Sequence, residues 1–330
     1  MLINSLSHNR SITDHEHIFQ SLAVLLRKET VPHAMLFVGI KGVGKQKAAV
    51  NFAMACNCLN LHYENEIEPC QECRSCKKIQ SENHPDVINI KSGDSSITID
   101  MIRSLGYTLA MKPFEAKWRV IIIADAQLMT PSASNALLKV LEEPPKRTIF
   151  ILTATREDDL LTTILSRCHR FSFNRISKRF IQDMLIKEYD TDPKEAKIIA
   201  AMAKGSYKEA LFMKESNWIE YKNWVILNVD SLFEKPAAFA LALAEVLSKN
   251  KKTLINSLDV IQSWFRDLVI YKYNPNKIIN TDLVLNIQKA TQRYSADKLV
   301  SIIDGIVEAR KDIEGNANLR LIMERLIYFN

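Results

Sequence analysis

The run Ala34-Met35-Leu36-Phe37-Val38-Gly39-Ile40-Lys41-Gly42-Val43-Gly44-Lys45 passes from five apolar side chains into a glycine-rich turn closed by a lysine, and a helical pattern follows it. A buried strand that enters such a turn and then a helix is the context in which a phosphate loop works. The first N–H groups of a helix have no partner inside it, so they form a positive cradle for phosphate oxygens. Gly39, Gly42, Gly44 and Lys45 are therefore the candidate nucleotide-binding residues, with Lys45 directed to the β- and γ-phosphates. The next position normally carries a Ser or Thr whose hydroxyl holds Mg²⁺; here it is Gln46, a bulkier amide. The loop has the ancestry of a phosphate loop, and these residues leave open whether it still holds ATP.

Four further short apolar runs, Asp86–Ile90, Trp118–Ala124, Thr148–Ala154 and His169–Phe173, alternate with helical patterns. Strands separated in this way imply a parallel sheet covered by helices on both faces, an α/β fold. ATPases of this kind place two acidic residues at the end of a later strand, one for the metal and one to orient water. After Val120-Ile121-Ile122-Ile123 this chain reads Ala124-Asp125, and an alanine methyl cannot ligate a cation. Gln46 and Ala124 are separate defects that fall on the same magnesium. Without that ion the charge on a transferred phosphoryl group loses its main counter-charge. The expectation is little or no ATP hydrolysis by this chain.

Five of the six cysteines fall between Cys56 and Cys76. In a reducing compartment such a cluster reads as metal ligands and not as disulfides. Cys70, Cys73 and Cys76 offer three thiols within seven residues, and Cys58 or Cys56 supplies a fourth for a tetrahedral structural Zn²⁺. His62 and His84 are not at ligand spacing, which argues against a catalytic zinc, and His33, following Pro32 at a strand entry, reads as structural. A zinc-dependent nucleic-acid-binding module is an alternative. Against it, Glu64, Glu66, Glu68 and Glu72 sit beside Arg74, Lys77 and Lys78 and leave no clean basic face.

With 47% hydrophobic and 25% charged residues, a chain of 330 is globular and divides into two or three domains. The formal charge of +6 is compatible with an acidic partner such as DNA and does not establish one. No window approaches the roughly 20 apolar residues of a membrane span. The polar segment Met1–His17 has no apolar core of a signal peptide. A cytoplasmic location and no membrane partner are expected. Beyond Phe173 the strand patterns stop. Lys178–Lys187, Pro193–Ala203 and Lys208–Glu215 read as three helices, and from Trp218 the chain is helical, with breaks near Lys235-Pro236, Asn274-Pro275 and Gly315. Leu254, Leu258, Ile261, Phe265 and Leu268 recur at helical spacing. Ser166-Arg167-Cys168 follows an apparent helix over Leu160–Leu165; its arginine is either a surface charge or a fork of donors aimed at a neighbour's phosphate.

Taken together, these stretches resemble the clamp-loader subunits of the AAA+ ATPase superfamily, most closely the delta-prime family of bacterial DNA polymerase III. The resemblance spans essentially the whole chain. It is carried by Val31-Pro32-His33-Ala34 before the loop, His84-Pro85-Asp86 after the cysteines, Thr98-Ile99-Asp100-Met101-Ile102-Arg103, and Asn318-Leu319-Arg320-Leu321 near the end. Most specific is Asn135-Ala136-Leu137-Leu138-Lys139-Val140-Leu141-Glu142-Glu143-Pro144-Pro145 in combination with Ser166-Arg167-Cys168.

The resemblance implies a RecA-like AAA+ domain over residues 1–173 with a zinc-binding insert at about 56–78. It further implies a small three-helix lid over 174–216 and an all-α collar over 217–330 that holds a ring together. Cys58 aligns with the family's first zinc ligand, giving Cys58, Cys70, Cys73 and Cys76. Arg167 matches the family's finger acting in trans on the ATP of an adjacent subunit. Lys208 falls where motor subunits carry a sensor arginine, Thr153 and Thr155 flank another sensor position, and Asn135–Pro145 resembles a subunit-facing helix. The implied role is a non-hydrolysing stator in a hetero-oligomeric ring with gamma/tau-type motor subunits and a delta subunit, reaching the sliding clamp and primed DNA through the complex. A gamma/tau-type ATP-hydrolysing motor is the alternative, and Gln46 and Ala124 depart from its pattern.

Overall fold

The structure, a computed structural model, describes residues 13–61, 68–92, 96–315 and 317–328. His62, Glu64, Glu66 and most of Met1–His17 lie outside the described residues. The chain forms two compact units. One runs through Ser177 and includes Ser206–Lys208; the other comprises Lys178–Gly205 and the chain from Glu209 onward.

The first unit is built on five parallel strands, β1 (Ala34–Val38), β2 (Val87–Ile90), β3 (Arg119–Ile123), β4 (Thr148–Ala154) and β5 (His169–Ser172), in the order β2-β3-β4-β1-β5. All seven residues of β4 and all five of β3 are buried, as strands covered on both faces require. Its helices are α1 (Glu16–Arg27), α2 (Lys45–Asn57), α3 (Arg74–Gln80), α4 (Ile99–Ala110), α5 (Pro131–Glu142) and α6 (Thr162–Leu165). One core layer sets Leu36, Ile121 and Phe150 of the sheet against Leu105 of α4 and Leu137 and Leu141 of α5.

Local chemistry defines the ends of α5. The Thr130 hydroxyl accepts the Ala133 N–H, Pro131 takes the first turn where its missing N–H costs nothing, and Pro144-Pro145 follows its end. The strand expected over Asp86–Ile90 begins at Val87, and that over Trp118–Ala124 at Arg119. The glycine loop leaves the carboxyl end of β1, and Asp125 and Thr155 follow β3 and β4. That edge of an open parallel sheet is where ligand crevices form.

The second unit is helical throughout its described residues: α7 (Lys178–Tyr189), α8 (Pro193–Met202), most of α9 (Tyr207–Glu215), α10 (Trp218–Asp230), α11 (Ala237–Leu247), α12 (Lys251–Tyr273), α13 (Val284–Thr291), α14 (Ala296–Glu314) and α15 (Leu319–Tyr328). Leu254, Leu258, Ile261, Phe265 and Leu268 of α12 are all buried. Pro236, Asn274-Pro275 and Gly315 each stand at a helix end. A further break, between α11 and α12, has neither Gly nor Pro; there the Asn250 side chain accepts the Thr253 N–H at 2.9 Å and starts α12.

Beneath α10 and α12 lies a polar clasp. The fully buried Lys222 ammonium donates to both oxygens of Asp282, at 3.0 and 2.9 Å, and to Asn280 at 3.3 Å. Asp267 of α12, also buried, accepts the N–H groups of Ile279 and Asn280. No helix among the described residues is long and apolar enough to cross a membrane.

Candidate functional site

The glycine loop is geometrically a phosphate loop, with its lysine turned inward. The Lys45 ammonium donates to the Gly39 carbonyl at 2.5 Å and the Ile40 carbonyl at 2.9 Å. Burial lowers its pKa from the ordinary lysine value, against the opposing pull of the Asp125 charge. Gly44, at φ 107°, is the N-cap of α2, a left-handed geometry that a side chain would strain. Gly42 is left-handed too, at φ 80°, and its carbonyl accepts the Lys208 N–H at 3.1 Å. A Cβ on Gly42 would run into Ser206 Oγ, and one on Gly39 into the Phe173 carbonyl. The segment Ser206–Lys208 thus lies directly on the loop.

The residues around the loop offer little grip for magnesium. Gln46 is exposed on the first turn of α2, and Ala124 is buried at the end of β3. Asp125 adopts the left-handed conformation that aspartate tolerates, and its N–H donates to Thr153 Oγ1 at 3.0 Å. Thr155 Oγ1 accepts the Gln127 amide at 3.3 Å. Both threonines therefore hold the turns that follow the strands. Sequence reasoning missed His15, whose fully buried ring packs edge-on against Phe173 at 5.0 Å. Burial lowers its pKa, against the opposing pull of the Asp14 charge.

Cys58, at the C-cap of α2, meets Cys70, Cys73 and Cys76 so that the four sulfurs lie within 4.8 Å of one another. A tetrahedral zinc–thiolate site with bonds of about 2.3 Å sets its sulfurs about 3.8 Å apart, so this donor set fits the metal. The backbone is turned toward the sulfurs as well: Cys70 N–H donates to Cys58 Sγ at 3.3 Å, and Cys73 N–H to Cys70 Sγ at 3.3 Å. Burial works against ionisation of Cys73. The N–H groups of Cys76 and Leu59 and the neighbouring thiols win, and bring it down to about 6. Burial pushes the Cys76 and Cys58 thiols up. Four protein donors would close a tetrahedral site with no open position, as a structural zinc requires. Cys56 faces the other way, buried on α2 with its thiol pushed up by burial, and packs as a small hydrophobe.

Arg167 follows α6 and is half exposed. Its guanidinium donates to the Thr163 carbonyl at 3.0 Å and to the Glu142 carboxylate, at the end of α5, at 2.8 Å. The two most specific stretches of the sequence thus meet in one ion pair.

A parallel sheet in this order, with a phosphate loop after β1, between β4 and β5, defines a RecA-like ATPase fold of the AAA+ class. The family model described as DNA polymerase III, delta subunit, matches residues 14–177, and its C-terminal counterpart matches 215–329. The chain is 31% identical to the DNA polymerase III subunit delta' of Bacillus subtilis over 92% of each chain. It is 28% identical to the tau subunit of the same organism, over 95% of this chain and 59% of that longer protein. With the gamma subunit of Buchnera aphidicola it shares 31% identity over 79% of this chain and 74% of the relative. The chain belongs to the DNA polymerase III delta' family of clamp-loader subunits.

Proposed function

We propose that this chain is the stator of a clamp-loader ring. It assembles with gamma/tau-type motor subunits and a delta subunit, does not turn over ATP itself, and lends Arg167 to the γ-phosphate held by its neighbour while the sliding clamp is loaded onto primed DNA. In this reading residues 1–173 form the ATPase-like domain, 174–216 the lid and 217–330 the collar, and the four cysteines hold a structural zinc. The work is done in the cytoplasm.

The observation that carries the reading is the contrast between the two cationic side chains. Lys45 is spent on carbonyls of its own loop, beside a turn that lacks the hydroxyl and the leading acid of a magnesium site. Arg167 stands half exposed at the surface, held by Glu142 and the Thr163 carbonyl, with a planar fork suited to phosphate oxygens. The likeness to tau and gamma favours a motor as much as a stator; Gln46 and Ala124 favour the stator. The purified chain, incubated alone with ATP and Mg²⁺, is expected to release no phosphate above background. Brisk magnesium-dependent turnover would replace the stator with the motor.

A further inference from the structure

The ties that leave the cysteine module converge on one segment, Met111–Trp118, which is neither helix nor strand. Asn57, one residue before Cys58, is buried and makes a two-way amide pair: its Nδ2 donates to the Trp118 carbonyl at 2.9 Å, and its Oδ1 accepts the Trp118 N–H at 2.9 Å. Lys78, two residues past Cys76 on α3, donates to the Glu115 carboxylate at 2.5 Å. From the sheet side Asp86, only 2% exposed, accepts the N–H groups of Phe114, Glu115 and Ala116 at 2.8, 2.8 and 3.0 Å. Arg119 donates to the Met111 carbonyl at 2.9 Å. So tied, the segment holds Phe114 85% exposed and Met111 70% exposed instead of folding them inward.

We infer that the cysteine module is a brace for the Met111–Trp118 segment, and that its metal occupancy sets the posture in which Phe114 is displayed. With the four sulfurs gathered on one ion, the C-terminus of α2 and the start of α3 are fixed relative to each other. Asn57 and Lys78 are then fixed with them, and they grip the segment at Trp118 and at Glu115. Without them Asp86 still anchors the middle and Arg119 the start at Met111, and the Trp118 amide has no side-chain partner. A metal that merely stapled its own loop would leave the segment indifferent to its removal. The inference rests on the fit of the cysteines to a metal and is independent of any role for Arg167.

Hydrogen exchange on the full chain, zinc-loaded and after chelation, tests it. Metal removal is expected to speed exchange of the Trp118 amide by about two- to tenfold, the factor that goes with one ordinary hydrogen bond. The β4 amides serve as the unchanged reference. Unchanged protection at Trp118 and at 114–116, while the Cys70–Cys76 amides open, would overturn the inference. If chelation opens β4 as well, the zinc-loaded double variant Asn57→Ala, Lys78→Ala decides. It is expected to keep its zinc and the protection of Cys70–Cys76 while losing protection at Trp118. Full protection at Trp118 in that variant would equally overturn the brace.

Discussion

Replacing Lys222 by alanine and by methionine separates packing from charge in the helical unit. Lys222 is fully buried, and its ammonium is shared between Asp282 and the buried Asn280. Alanine removes three buried methylenes, about 2 kcal/mol at roughly 0.8 each, before any cavity term. It also orphans the Asn280 amide oxygen, for about 1–3 kcal/mol more. The Asp282 side chain is 26% exposed and can turn to water, so it adds little. The expected loss for Lys222→Ala is about 4 kcal/mol. Methionine keeps the stem and loses only the polar end, and it relieves the burial that lowers the Lys222 pKa. Its expected loss is about 1–2 kcal/mol. In a helical unit of this size that corresponds to a fall in Tm of about 10 °C for alanine and about 4 °C for methionine. Trp218, Trp224 and Trp264, three of the four tryptophans, lie in this unit, so tryptophan fluorescence during thermal unfolding reads it. Equal losses in the two variants would refute the reasoning, since the ion pair and not the stem would then carry the site.

Asp86 is expected to make the first unit acid-sensitive. Burial pushes its carboxyl up, but three N–H donors and Arg119 outweigh it and hold the pKa below the ordinary 3.8. The stability it supplies is present above pH 3.8 and lost as pH falls through the folded value. Asp86→Asn should weaken the unit by about 2–4 kcal/mol at neutral pH and flatten that acid limb, as read by circular dichroism between neutral and acid pH. For the metal, Cys58→Ser, Cys70→Ser, Cys73→Ser and Cys76→Ser are each expected to lose zinc in elemental analysis. Cys56→Ala should keep it; zinc lost with Cys56 and kept without Cys58 would reverse the assignment.

What could be read from the residues alone was whatever depends on neighbours in sequence. The five strands stood out because runs such as Ile121-Ile122-Ile123 are β-branched and buried on both faces. The cysteine set was legible because thiol spacing is local; spacing left Cys56 and Cys58 in competition, the resemblance chose Cys58, and the physical reason is the end of α2 at Asn57, which leaves Cys56 in the core. Asp86 and Trp118 were assigned to strands because nothing local shows that one anchors amides 28 to 30 residues away and the other pairs with Asn57, 61 residues away. Lys222 was invisible for the same reason: its partners lie 58 and 60 residues downstream, and a lysine in a helix ordinarily faces water. The break before α12 was missed because it is an asparagine cap without glycine or proline. Arg167 stood out after its helix as either a surface charge or a phosphate-directed fork, and only the resemblance chose between them; its pairing with Glu142 follows from α5 and α6 ending side by side.

The stator role is tested most directly by Arg167→Ala in a ring reconstituted with its gamma/tau-type and delta partners, measuring ATP turnover during clamp loading. The variant should enter a ring of unchanged size that hydrolyses ATP and loads clamps more slowly, because one phosphate-facing guanidinium is gone. A ring of the same composition that loads at full speed without that side chain would contradict the account.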